Sequence, residues 1–238
     1  MTFSRRIFRS LILPLKDFIY PPVCLTCSSL LKENEALVCA ACWMGFRRAS
    51  PSDGAWMNIR ERLDSEGQVE DFLTCFVFEK EGGIKDVIHH LKYKNIRSIG
   101  ERLGHEAGEL IMASPSFPDA DYLLPVPLHK LTLRERGYNQ SEHIASGISE
   151  ITHIPKVTSF LERKKYTRSQ TKLNPAERNR NVEGAFEVPE DSRQFVKGKK
   201  LILVDDVITT GSTLGACAAE LKKNGALHVL VVSAAIAG

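Results

Sequence analysis

Several things are scarce in this sequence. No apolar run approaches the roughly 18 residues that a membrane-spanning helix needs. Net charge is small: 32 Lys and Arg against 29 Asp and Glu leave a formal +3, too little to argue for nucleic acid from total charge. Gly-x-Gly-x-x-Gly is absent, which removes the dinucleotide-binding fingerprint. No Gly-Lys-Ser/Thr triplet is present, which removes the Walker phosphate loop. There is no internal repeat and no low-complexity tract, so solenoid and disordered classes fall away. What remains is the composition of an ordinary globular protein, 43% hydrophobic and 26% charged over 238 residues. That length allows one normal core, or a modest core with a small extra module.

Cysteine is unevenly spread. Four of the six cysteines fall between Cys24 and Cys42, as Cys24-Leu-Thr-Cys27 and Cys39-Ala-Ala-Cys42 separated by eleven residues. Two Cys-x-x-Cys knuckles at this spacing supply the four thiolates that a structural zinc prefers. The intervening segment has few large apolar residues, so a metal would stand in for a core. Cys24, Cys27, Cys39 and Cys42 are therefore expected to ligate Zn²⁺, leaving no open position for catalysis. Cys75 and Cys217 lie in apolar stretches and are expected in the core. Before the knuckles, Ile7, Phe8, Leu11, Ile12, Leu15 and Phe18 recur at helical spacing, which predicts a short amphipathic helix. Pro14, Lys16 and Asp17 interrupt any signal-peptide pattern, so a cytoplasmic protein is expected.

The rest of the chain alternates strand-like and helix-like segments. Strands are expected at Leu73–Phe78, Tyr122–Val126, Val157–Leu161, Leu201–Val204 and Val229–Ala235. Helices are expected at Ile84–Tyr93, Ser98–Met112, Asn139–Ile151 and Ser212–Asn224. Short, wholly apolar strands between helices indicate an α/β fold with a mostly parallel sheet covered on both faces. The expected organisation is an amphipathic helix and zinc module over 1–45, a linker with some helix over 46–70 and a sheet domain over 71–238.

The most informative segment is Leu201-Ile-Leu-Val-Asp205-Asp206-Val-Ile-Thr209-Thr210-Gly211-Ser212-Thr213. A buried strand runs into two adjacent carboxylates, and a turn rich in hydroxyls then opens a helix. Backbone N–H groups and hydroxyls of Thr209, Thr210, Ser212 and Thr213 can surround a phosphate, with Gly211 allowing close approach. Asp205 and Asp206 can accept hydrogen bonds from sugar hydroxyls or hold Mg²⁺. A capped helix alone would not need two acids, four hydroxyls and a glycine. The position also fits ligand binding beyond strand carboxyl ends in open α/β sheets.

Here the sequence resembles a known family. Val204–Thr213 is similar to the phosphoribosyl pyrophosphate (PRPP) signature of type I phosphoribosyltransferases. With the two knuckles, the chain resembles the ComF, or GntX-like, competence-protein family. The resemblance extends through Pro21-Pro22, Leu91-Lys-Tyr-Lys94, Pro125-Val-Pro-Leu128, Arg134-Glu-Arg-Gly-Tyr-Asn-Gln140, Ser169-Gln-Thr171, Arg178, Asn181 and Ala185-Phe186. It departs at Thr132, where the family often has a basic residue.

The resemblance implies a type I phosphoribosyltransferase fold. It also implies that Val126, Pro127, Leu128, His129 and Lys130 meet the pyrophosphate of Mg²⁺-PRPP, with Thr209 to Thr213 at the 5′-phosphate and Asp205 and Asp206 at the ribose. Arg134 and Arg136 can bind anionic oxygens bidentately, and a surface role for each stays open. The peptide before Pro127 can be cis or trans on the sequence alone.

Residues 162–180 carry a net +5, more than the whole chain, so the positive field is local. The resemblance places there a hood over PRPP, and single-stranded nucleic acid is the other ligand for it. Two functions follow. One is phosphoribosyl transfer to an unknown acceptor with release of pyrophosphate. The alternative is a non-catalytic PRPP- or nucleic-acid-binding factor in DNA uptake and natural transformation, working with a helicase-like competence protein. A homodimer is a further assembly left open.

Overall fold

The computed structural model describes residues 21–33, 35–79, 81–165 and 184–237. The amphipathic helix expected before Pro21 lies outside the described residues. So does most of the expected hood, including Tyr166, Arg168, Ser169–Thr171, Lys172, Arg178 and Arg180. Two compact units divide the chain at Phe46 and Arg47.

The first unit is a pair of knuckles. A turn at Cys24 is closed by Ser28 N–H donating to the Cys24 carbonyl at 2.9 Å, and Val23 bridges Leu30 in antiparallel fashion. The second knuckle opens a short helix, α1 (Ala40–Met44), whose N-cap is Cys39. Trp43 is buried and its ring lies 5.4 Å from that of Phe46.

The second unit begins with α2 (Gly54–Glu66), followed by β1 (Asp71–Phe78), α3 (Gly83–Tyr93) and α4 (Arg97–Ala113). Next come β2 (Tyr122–Pro125), α5 (Lys130–Arg136) and α6 (Gln140–Thr152). A small antiparallel pair, β3 (Glu162–Arg163) and β4 (Phe186–Glu187), precedes the one-turn α7 (Arg193–Val196). The chain then forms β5 (Lys200–Ile208), α8 (Ser212–Lys223) and β6 (His228–Ala237). The main sheet has the order β1-β6-β5-β2, and every pair in it is parallel. The apolar strands are buried because helices cover both faces, as parallel sheets require. Leu201, Leu203, Val229 and Val231 share one core with Ile59 and Leu63 of α2 and Leu214, Cys217 and Leu221 of α8. Alternate residues turn to the opposite face, where α4 packs on β1 and β6, and α6 on β2 and β5.

Helices α4 and α6 meet closely because small residues let their backbones touch. A Cβ on Gly104 would lie 2.2 Å from the Ile144 carbonyl oxygen, and one on Gly147 would lie 2.1 Å from that of Glu101. Gly100, Gly104 and Gly108 recur at every fourth position, so they line one stripe of α4.

Within 46–70, where a linker with some helix is expected, 54–66 form α2, and its Ile59 and Leu63 enter the core. Polar residues dominate its sequence because α2 buries only a narrow face. Val157–Leu161 is not a strand. Lys156 makes an isolated bridge to Leu123, and the chain then leaves the sheet so that Phe160 and Leu161 fill the core. The strand expected at Leu201–Val204 continues through both aspartates to Ile208, because β6 goes on pairing with it after β2 ends opposite Val204. Cys75 and Cys217 are buried in the core, and burial pushes both thiols up.

Candidate functional site

Where β2 ends and β5 continues, the two aspartates stand beyond the last β2 pair, Pro125 with Val204. Asp206 is 4% exposed. Its Oδ2 pairs with Lys92 Nζ at 3.0 Å, from the end of α3. Burial disfavours the Lys92 ammonium, yet Asp206 and then Asp205 outweigh it and hold the lysine above its ordinary range. Asp205 is partly buried and belongs to a different network. Ser141 Oγ donates to Asp205 Oδ1 at 3.2 Å, and the Asp206 N–H donates to the same oxygen at 2.9 Å. Burial first, and the neighbouring Asp206 charge second, raise the Asp205 carboxyl to about 7.

Five residues after Asp206, the chain turns through Gly211 at φ +74°, a left-handed conformation that a Cβ would strain. α8 starts at Ser212 with no side-chain cap on its N-terminus and no acid in its first turn. Thr210 Oγ1 and Ser212 Oγ lie 2.9 Å apart. Arg62 of α2 donates from Nη2 to Ser212 Oγ at 2.9 Å. Asp205 and the loop 207–214 line one small open cleft. Thr209, Thr210, Gly211, Ser212 and Thr213 all belong to that lining. An unfilled set of helix-start N–H groups beside three or four hydroxyls suits an anion.

The loop expected to meet pyrophosphate is split by the structure. Val126 is buried, and its N–H donates to the Val204 carbonyl at 2.9 Å, extending the sheet edge. Pro127 and Leu128 are partly buried, and the peptide before Pro127 is trans. His129 caps α5, its Nδ1 accepting from the Leu131 N–H at 3.2 Å, while Lys130 is exposed. Arg134 is exposed on α5. Arg136 donates to Gln140 Oε1 and sits 5.6 Å over the Tyr93 ring. Asn139 is the N-cap of α6, and its Nδ2 donates to the Val126 carbonyl at 3.0 Å, tying this loop to the helix that carries Ser141. At the near end of the expected hood, Arg163 pairs with Phe186 across β3 and β4, its guanidinium 5.4 Å from the Phe186 ring.

Two residues at this site were not assigned a role from the sequence. Lys92 lies within the Leu-Lys-Tyr-Lys run, where the signal was present but its contact was not. Arg62 stands 150 positions before Ser212 in a stretch that reads as polar and mixed, so no local pattern pointed to it.

In the first unit, the ligand atoms of Cys24, Cys27, Cys39 and Cys42 all lie within 4.8 Å of one another. Cys27 and Cys39 Sγ are 3.8 Å apart, which matches the roughly 3.8 Å edge of a tetrahedron with Zn–S bonds of about 2.3 Å. The Cys39 N–H points at Cys24 Sγ at 3.3 Å, and the Cys42 N–H at Cys39 Sγ at 3.4 Å. Burial works against a Cys24 thiolate, but the N–H groups of Cys39, Cys27 and Thr26 prevail and lower it to about 6. The four sulfurs fit a soft or borderline divalent cation in donor type, number and spacing.

Comparison with known proteins agrees with this layout. The family model for the phosphoribosyl transferase domain matches residues 123–237. Competence protein F of Haemophilus influenzae is 35% identical over 109 residues, 46% of this chain and 47% of that protein. DNA utilization protein YhgH of Salmonella typhi is 32% identical over 150 residues, 61% of this chain and 63% of that one. Competence protein ComFC of Bacillus subtilis is 25% identical over 206 residues, 85% and 79% respectively. The matched stretch is about half the length of the first of these relatives. Among solved structures, a glutamine PRPP amidotransferase from B. subtilis is similar over 60% of this chain and 30% of its own, at 22% identity and a TM-score of 0.40. A purine phosphoribosyltransferase from Pyrococcus horikoshii is similar over 57% and 70%, at 18% identity and a TM-score of 0.33. No helix among the described residues is long and apolar enough to cross a membrane. With a match to the phosphoribosyl transferase domain, a cysteine cluster and these relatives, the chain is similar in sequence to competence protein F, YhgH and ComFC.

Proposed function

We propose that this chain binds PRPP or a closely related phosphorylated ribose at the Asp205–Thr213 segment, and that it serves as a binding factor in the uptake or use of DNA. The observation that supports this most is the placement of Asp205 and the 209–213 loop on one cleft. The names of its relatives, competence and DNA utilization proteins, support the cellular role. In this reading Asp205 and Asp206 accept hydrogen bonds from the ribose hydroxyls. N–H groups and hydroxyls of Thr209 to Thr213 hold the 5′-phosphate, and Val126 to Lys130 face the diphosphate. Arg134 and Arg136 add positive charge on that side. Hard carboxylate oxygens suit Mg²⁺, and Asp205 is the better placed of the two because Asp206 is already paired with Lys92. A magnesium ion carried with the diphosphate would offset its charge. Single-stranded DNA and a helicase-like competence protein are the partners this role calls for, in the cytoplasm.

Phosphoribosyl transfer is the second reading, favoured by the raised Asp205 carboxyl. A group near 7 can take a proton at neutral pH. An attacking nitrogen would form a bond to the anomeric carbon, the carbon–oxygen bond to pyrophosphate would break with its electron pair, and the nitrogen's proton would pass to a carboxylate.

Calorimetric titration with Mg²⁺-PRPP tests the binding claim. Heat of binding in the wild type, strongly reduced in Asp205→Asn, is expected; no heat in the wild type would remove the proposal. Pyrophosphate release on adding bases, amines or DNA ends separates the two readings. Tight binding with no release across that set favours the binding factor.

A further inference from the structure

We infer that Arg62 is the cationic arm of the phosphate end of this site. The inference rests on the reading of 209–213 as a phosphate loop and adds to it a residue from outside the matched domain. Arg62 Nη2 donates to Ser212 Oγ at 2.9 Å, and Ser212 Oγ lies 2.9 Å from Thr210 Oγ1. The guanidinium therefore touches the hydroxyl cluster itself. Its side chain is only 21% exposed.

Electrostatics make this placement informative. The start of α8 carries the positive end of the helix dipole, and a cation there is unfavourable. A residue serving only to cap α8 would be a carboxylate or a hydroxyl acceptor. The N-terminus of α8 has no side-chain cap and its first turn has no acid. α2 brings an ion pair to it, Arg62 on Ser212 and Glu66 beside Gly215. An anion held between the guanidinium and the helix-start N–H groups would be attracted by both.

Glu66, one turn along α2, accepts from Arg62 Nε at 3.3 Å and so fixes the guanidinium with Nη2 toward the loop. Gly215 leaves room for that carboxylate: a Cβ there would meet Glu66 Oε2 at 1.9 Å. Glu66 thus acts as a positioning residue, and Gly215 as the gap that admits it. A guanidinium presents two parallel donors to a phosphate, a geometry that lysine lacks.

The test uses the full chain and ribose 5-phosphate as the probe. Titration calorimetry compares wild type, Arg62→Gln and Arg62→Lys, and each is also melted without ligand. Removing a charged hydrogen-bond donor is expected to weaken ribose 5-phosphate binding roughly 10- to 100-fold, with partial recovery in Arg62→Lys and little change in melting temperature. Wild-type affinity in Arg62→Gln, with a lowered melting temperature, would make Arg62 a structural tie between α2 and α8 and overturn the inference while leaving the phosphate loop standing. A wild type that binds neither ribose 5-phosphate nor PRPP would sink the phosphate reading and this inference with it. Should Arg62→Gln fail to fold, phenylglyoxal labelling of the wild type read by mass spectrometry decides the matter. Protection of Arg62 by ribose 5-phosphate supports the role, and equal labelling with and without it overturns it.

Discussion

Replacing Lys92 by Met removes one charge from the site and keeps most of the buried side-chain stem. Lys92 Nζ stands 3.0 Å from Asp206 Oδ2, with the two side chains 27% and 6% exposed. Breaking a buried ion pair by deleting one partner typically costs about 3–5 kcal/mol. The cost has a ceiling, because the aspartate pair can take up a proton rather than keep an unpaired charge. Protonating an ordinary aspartate at pH 7 costs about 1.4 kcal/mol for each of the roughly three pH units above 3.9, or about 4 kcal/mol. The quarter exposure of Lys92 reduces the loss further, so a destabilisation of about 2–4 kcal/mol at pH 7.5 is expected. The sign of the pH dependence follows. In the variant the folded pair binds more protons than the unfolded chain, so stability falls as pH rises from about 4 toward 7. At pH 5 the ceiling is only about 1.5 kcal/mol. Urea unfolding of wild type and Lys92→Met at pH 5 and pH 7.5 measures both values. A loss of equal size at both pH values would mean packing rather than charge, and no loss at pH 7.5 would refute the pairing.

Further consequences are equally direct. Gly104→Ala places a methyl 2.2 Å from the Ile144 carbonyl oxygen, so a loss of at least about 2 kcal/mol from overpacking is expected in thermal or urea unfolding. Gly54→Ala, where nothing lies within 4 Å of the added Cβ, is the matched control and should leave stability unchanged or slightly raised. Metal analysis of the purified chain is expected to give about one zinc per chain through the four cysteines, and Cys39→Ser should abolish stoichiometric retention. A ligand that bonds to ionised Asp205 must displace the proton of a carboxyl raised to about 7. PRPP affinity should therefore climb as pH rises from 6 to 8, with proton release visible as buffer-dependent heat, and pH-independent binding would count against Asp205 as a ribose contact.

Much of the fold was legible because period and punctuation agreed. The apolar runs at Leu73–Phe78 and Val229–Ala235 became strands β1 and β6, and Gly137-Tyr-Asn139 marked the start of α6, with Asn139 as its cap. The turn at Gly211 could be read for the same reason: its left-handed backbone, at φ +74°, favours glycine. The failures are the contacts that are not local. Val157–Leu161 has strand composition, yet Pro155 and the shortness of β2 leave it only a bridge, and its aromatic residue is spent on the core. α2 reads only as some helix within a linker because its buried positions are few, and its partner surface lies at the far end of the chain. The glycine stripe of α4 was visible as a repeat of four, but only the opposing carbonyls reveal what it is for.

The site also shows why a domain match understates a functional unit. The matched phosphoribosyl transferase domain covers residues 123–237, which contain Asp205, Asp206, Ser141 and the whole hydroxyl loop. Two of the charges close to them come from outside it. Lys92 neutralises Asp206, and Arg62 reaches Ser212. β1, also outside, pairs along β6 from Asp71 to Phe78 and closes that edge of the sheet. A fragment beginning at Leu123 would expose the β6 edge and leave Asp206 buried without its cation, both of which oppose folding. Residues 47–122 therefore belong to the architecture around these side chains, and on the proposed reading a change at Lys92 or Arg62 would bear on ligand binding.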